Sequence, residues 1–329
     1  MMYRVVIALF LVSLMGLVHG QEKALQRTGQ AARLYQEKDY QEAKRIIDEC
    51  VLSEGAEDAY TWHVRGYVYK ELLKGEKGFS DESTYREEAV RSFQQCLELD
   101  DEQKYLQWNT NSLRYLASTY WNGAVTIMEQ RDRGELETAY GFFEKYCSIM
   151  KSLEQTEGLD DRKVDFYRAF STANRKVIEK LRSQKSSPDS YKMEMERIEK
   201  SYTQALQLSP NDYGANYNYA INLYNEAAYR IENIPFDAPL THVILEQEGC
   251  IDIFERALPF ALKAEQLRPG RIEILKALRA IYLSLNNYGE FDRYNQLIRD
   301  KQGELLVPKS LKEGELNPEI FKGSNNYED

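Results

Sequence analysis

Mostly apolar residues of this chain recur in a fixed phrase: one, usually Ala, a second four places on, and a third after three more. It occurs as Ala43–Ile47–Cys50, Ala89–Phe93–Cys96, Ala139–Phe143–Tyr146, Ile198–Tyr202–Ala205, Ala257–Ala261–Ala264 and Phe291–Asn295–Ile298. Intervals of four and three keep all members on one face of an α-helix, so each phrase predicts an amphipathic helix. Successive phrases are 46, 50, 59, 59 and 34 residues apart. A second helix fits into each interval, and the chain reads as six helix pairs.

The second pair carries the most informative sequence. Trp62-x-x-Arg65-Gly66-x-x-Tyr69 precedes Ala89-x-x-x-Phe93-x-x-Cys96, and Gly66 lets a neighbouring helix approach where any side chain would block it. Lys38-Asp39-Tyr40-Gln41-Glu42 and Asn286-Asn287-Tyr288-Gly289-Glu290 stand before two of the second helices. Leu208-Ser209-Pro210-Asn211 and Leu267-Arg268-Pro269-Gly270 close two others, where Pro stops the helix. Together these segments resemble the tetratricopeptide repeat (TPR) family, with Arg65 at the position of its Leu. The resemblance implies an all-α, right-handed superhelical solenoid of about six TPR-like helix pairs. The family's repeat is about 34 residues, so the longer steps imply insertions between paired helices. These fall around Lys74–Thr84, Ala124–Gly134, Ser183–Ser190 and Glu226–Gly249, and gather on one rim. Ala124-Val125-x-Ile127-Met128 continues an apolar face as extra helical turns, whereas Pro235 and Pro239 must break the helix. The first helix of the fourth pair, around Val164–Leu181, departs most from the family pattern.

Residues 1–20 read as a signal peptide: Arg4, a 14-residue apolar run from Val5 to Val18, and a cleavage site after Gly20. Fourteen residues are too few to span a bilayer, and no Cys lies at the cut to carry a lipid. The expected layout is 1–20 signal peptide, 21–301 helical repeat domain and 302–329 polar tail. Export permits disulfides, but Cys50, Cys96, Cys147 and Cys250 show no metal or redox spacing and read first as buried thiols. With 43 Lys+Arg against 53 Asp+Glu the chain carries −10, which argues against nucleic acid and anionic membrane as partners. No Asn has Ser or Thr two places on, which leans towards a bacterial periplasm or envelope.

Catalytic, metal and cofactor motifs are absent from the sequence, and His63 and His242 are the histidines that follow the leader. The expectation is a non-enzymatic chain with no cofactor and no metal. In stacked helix pairs the first helices line a groove, and binding is expected there. Register places Tyr60, His63 and Tyr67 on it from the second pair and Asn111, Arg114, Trp121 and Asn122 from the third. Arg168 and Arg175 come from the fourth pair, and Tyr217, Tyr224 and Asn225 from the fifth. Trp121-Asn122 and Tyr224-Asn225 hold equivalent registers, which suggests a repeated contact through amphipathic rings and an amide. The Lys and Asn pair with which some family members grip a carboxylate has no counterpart. The reading is a protein-interaction scaffold or adaptor that takes a partner segment in the groove. Alternatives are docking of an envelope complex through the inserted rim, and a carbohydrate-binding accessory whose Tyr faces stack on sugars.

Overall fold

The computed structural model describes residues 22–76, 83–130 and 135–306; the leader and most of the 302–329 tail lie outside them. Among the described residues the chain is all-α, apart from two short 3₁₀ turns. Twelve helices follow in order: α1 over 22–36, α2 Tyr40–Cys50, α3 Ala59–Lys74, α4 Thr84–Leu99, α5 Leu106–Gln130 and α6 Leu136–Ser152. They continue as α7 Leu159–Ser183, α8 Lys192–Leu208, α9 Tyr213–Glu232, α10 Leu240–Leu267, α11 Ile272–Ser284 and α12 Tyr288–Leu306. Each of the six apolar phrases lies on an even-numbered helix, the second member of its pair. No helix among the described residues is long and apolar enough to cross a membrane.

Most of the added residues between paired helices are helical turns. α5 runs on to Gln130 and α7 to Ser183, and α10 begins at Leu240, well before the phrase at Ala257. Pro235 and Pro239 fall in the break between α9 and α10, as their missing N–H groups require, while Pro259 is carried inside α10. α12 continues to Leu306, past Lys301.

The chain forms two compact units, one up to Arg162 with Thr172–Glu194, the other Lys163–Ser171 with Met195 onwards; α7 contributes to both. In the first unit, α2 packs on α3, α3 on α4, α4 on α5 and α5 on α6. In the second, α9 packs on α10, α10 on α11 and α11 on α12. The TPR-like close approach is plainest between α3 and α4, where a Cβ placed on Gly66 would stand 2.6 Å from the fully buried Phe93 ring. Ala43, Ala89, Ala139, Ala257, Cys96 and Cys250 are likewise at 0% exposure. Cys50 is buried too, so these thiols serve as small apolar side chains.

The turns explain their own sequences. Lys38 and Asn286 both take left-handed φ, 66° and 55°, at the end of a first helix. In each case the next N–H reaches back to close the helix, Asp39 to Leu34 O and Asn287 to Tyr282 O, both at 2.9 Å. The side chains of Asp39 and Asn287 then accept from Glu42 N and Glu290 N and start the second helix.

Arg65, at the family's Leu position, is 7% exposed and ties three helices together. Its Nε donates to Asp48 of α2 at 2.9 Å, and its Nη1 to Glu88 and Ser92 of α4 at 2.7 and 2.8 Å. Tyr69 Oη and Lys44 Nζ also donate to Asp48. Burial alone would raise the Asp48 carboxyl, but the Lys44 and Tyr69 bonds and the Arg65 charge outweigh it and hold its pKa below the ordinary value.

Two outcomes follow from this packing. Gly66→Ala is expected to cost about 2 kcal/mol, read as a lower melting temperature, because Phe93 has nowhere to move. Asp48→Asn is expected to cost about 2 kcal/mol near pH 7 and to converge with wild type in acid. A carboxyl depressed in the fold stabilises above its unfolded pKa and loses that contribution as pH falls through the folded one. Urea unfolding of both proteins from pH 7 to pH 3 measures the convergence.

Candidate functional site

Three of the expected groove residues come together in the first unit. Tyr60, His63 and Tyr67 are spaced by three and four along α3 and share one face. With Ala32, Tyr35 and Gln36 of α1 they line a cleft of about 230 Å³. The rings are in mutual contact: Tyr35 and Tyr67 have centroids 6.1 Å apart, and His63 and Tyr67 4.9 Å. Tyr105, ahead of α5, completes the cluster at 4.5 Å from His63 and 6.0 Å from Tyr60. Trp108 extends it at 6.4 Å from His63 and stays 56% exposed, an unfilled apolar surface at the edge of the cluster.

Beneath the rings lies a polar layer. His63 Nδ1 is 2.8 Å from Asn109 Oδ1, an atom that only accepts, so Nδ1 carries the proton. Burial outweighs this bond and lowers the His63 pKa, which keeps the ring neutral. Asn109 is fully buried, and its Nδ2 has no hydrogen-bond partner. One turn beyond Tyr67, Lys70 Nζ sits 4.0 Å from the Tyr67 ring centroid and donates to Ser112 Oγ at 3.0 Å. Burial first, and then the nearby Lys74, lower its pKa to about 8. The cleft thus offers ring faces and a neutral imidazole, with a half-desolvated ammonium against the Tyr67 ring, a set suited to an extended segment with apolar and acidic groups.

The other expected residues stand elsewhere. Asn111 and Arg114 are exposed on α5 and bound to each other, with Arg114 also donating to Gln155. The Trp121 ring packs on Phe143 and Tyr146 of α6, with the Arg162 guanidinium 5.4 Å from it. Tyr224 packs on Phe254 of α10, 5.5 Å away, beside buried Ala227 and Cys250. These two aromatics are equivalent, as their registers suggest, yet both rings are engaged by the second helix of their own pair. The Asn that follows each, Asn122 and Asn225, is exposed. Arg175 pairs with Glu179. In the second unit, Arg168 is held between Asp165 and Asp212 against Gly214, and Tyr217 stacks on Tyr213.

Lys70 was open to sequence reasoning, since it falls on the same face as His63 and Tyr67. Tyr35, Tyr105 and Trp108 carried no such signal, because they join only through packing of other pairs. Lys70 is expected to titrate near pH 8 when its [13C]methylated amine is followed by NMR. In the Tyr67→Ala protein it should move towards an ordinary lysine value as water enters.

Among known proteins, no family model and no curated sequence matches the chain. Solved structures that match it include the following three. MamA protein has 16% identity and a TM-score of 0.29 over 80% of this chain and all of that one. The S. pombe nuclear import adaptor Nro1 has 13% identity and a TM-score of 0.35 over 92% and 97%. The TPR2AB domain of yeast Sti1, solved with a pHSP90 partner, has 13% identity and a TM-score of 0.25 over 87% and 93%. At such values the TPR-like description stands on this chain's own helix pairs and turns.

Proposed function

We propose that the chain is a non-enzymatic interaction scaffold whose first unit captures a partner's extended segment in the α1–α3–α5 cleft. The observation that carries the reading is the aromatic cluster itself. Six rings from three helices and a connecting segment form one contact network, four of them lining the open cleft, with Trp108 more than half exposed at the edge of the network. A scaffold that needed those rings only for packing would cover them. Tyr60, Tyr67 and Trp108 act as anchors, and Lys70 and the exposed Arg114 select an acidic group on the partner. Trp121 and Tyr224 have no part in this cleft, because their rings are held by their own second helices.

Export supplies the setting: the Arg4 and Val5–Val18 leader supports a bacterial periplasm or envelope, with cleavage after Gly20. N-terminal sequencing of the mature protein tests that part alone.

A second reading has its own observation. Phe236 is fully exposed, and Leu240 and Leu245 are 73% and 66% exposed at the start of α10, an apolar patch on the inserted rim. This supports docking of a larger envelope complex through that rim.

The two readings separate by site-specific photo-crosslinking in cells from Gln36, beside the cleft, and from Asp237, on the rim. The groove reading expects an adduct from Gln36 that disappears in the Tyr60→Ser, Trp108→Ser protein while its helicity and melting temperature hold. An adduct that persists in that variant, or arises from Asp237 alone, overturns it. Silence from both positions would turn attention to oligosaccharides, which calorimetric titration checks.

A further inference from the structure

Away from the aromatic cleft, the first unit holds a second cavity of about 190 Å³ between α4, α5 and α6. Arg86, in the first turn of α4, lines it and is 2% exposed. Tyr120 of α5 and Phe142 of α6 lie against its guanidinium, with ring centroids 4.8 and 4.9 Å from Cζ. The rings cover it but accept no hydrogen bonds in its plane, and Arg86 Nε and Nη1 have no partner. Glu76 acts on it through charge without a hydrogen bond, and a buried guanidinium left so poorly matched is costly.

Two carboxylates stand nearby, Glu76 and the cavity-lining Glu87, and each has a partner of its own. Glu87 pairs with Lys145 of α6, and Glu76 accepts from Ser83 Oγ at 2.5 Å. Ser83 caps α4, so the positive end of that helix opens on the same cavity. Burial, followed by the Arg86 charge, lowers the Lys145 pKa, so the two cations share one field. Gly141 stands on the opposite wall, and a Cβ built there meets nothing within 4 Å. The cavity is therefore open where a ligand would enter.

We propose that this cavity binds a single small oxyanion, the carboxylate or phosphate of a compact ligand, with Arg86 as the principal cation and Lys145 as the second. Tyr120 and Phe142 form the apolar walls beside the bound group. The site shares no lining residue with the aromatic cleft and is independent of the groove reading.

The test is calorimetric titration of the full chain with inorganic phosphate and, separately, with N-acetylglutamate at low salt, beside melting curves. The two arms distinguish phosphate from carboxylate. One-to-one binding of either, with a raised melting temperature, is expected. Arg86→Met and Gly141→Leu should each weaken it at least about tenfold, the first by removing the charge and the second by filling the space. Without anion, Arg86→Met should melt no lower than wild type, because an unpaired buried cation has been replaced by an apolar chain of similar length. No saturable binding of either probe in the millimolar range overturns the proposal, and so does binding that survives both substitutions. Gly141→Leu leaves the Arg86 packing in place, so the proposal stays exposed even if Arg86→Met fails to fold.

Discussion

At Gly66 the lack of a side chain lets the Phe93 ring lie directly on the α3 backbone, and the arrangement of the first unit depends on that separation. If α3 and α4 stood farther apart, Arg65 could not reach Asp48 on one side and Glu88 on the other. The Tyr67 ring, which packs edge-on against Phe93 at 5.3 Å, would lose that support, and with it the contacts of the α3 rings with Tyr35 and Tyr105 would shift. Contact between paired helices therefore sets the geometry of the exposed rings.

The same closeness sets the electrostatics. Tight pairs exclude water, and polar groups caught between them are either matched or perturbed. Arg65 is matched by two carboxylates from flanking helices, which makes an ion network out of a position the family fills with Leu. Lys70 and His63 are only half matched, by Ser112 and Asn109, and burial moves both towards their neutral forms. Arg86 is covered by rings, and Glu76 acts on it through charge without a hydrogen bond. Together these sites grade from structural to reactive within one unit, according to how completely the surrounding helices supply a partner.

Much of this was legible from spacing. The apolar phrases gave the second helices, and the K-D-Y and N-N-Y turns located the first pair and the last. Their first residues, Lys38 and Asn286, take a positive φ, a conformation for which glycine is the default. Partnerships across pairs were not legible. Asp48 and Glu88 are 17 and 23 residues from Arg65, and nothing local marks either as its counter-charge. Register also fixes which face a ring leaves from but not where its end rests, so Trp121 and Tyr224 lean onto α6 and α10. Tyr105 precedes α5 and lies outside any helical period, and a pattern of threes and fours had no place for it.

The small positions that allow the pairs to close are filled in three cases by cysteine, and this has a consequence for the chemistry of unfolding. Cys96 is held at about 12 by burial, and Cys50 and Cys250 are raised for the same reason, so in the closed state almost none of their sulfur is nucleophilic thiolate. Each thiol belongs to a different helix pair and becomes reactive only when that pair parts. Alkylation in native conditions would thus time the opening of the first, second and fifth pairs separately, three clocks built into one chain. In an oxidising compartment the same arrangement makes damage a record of which pair opened first.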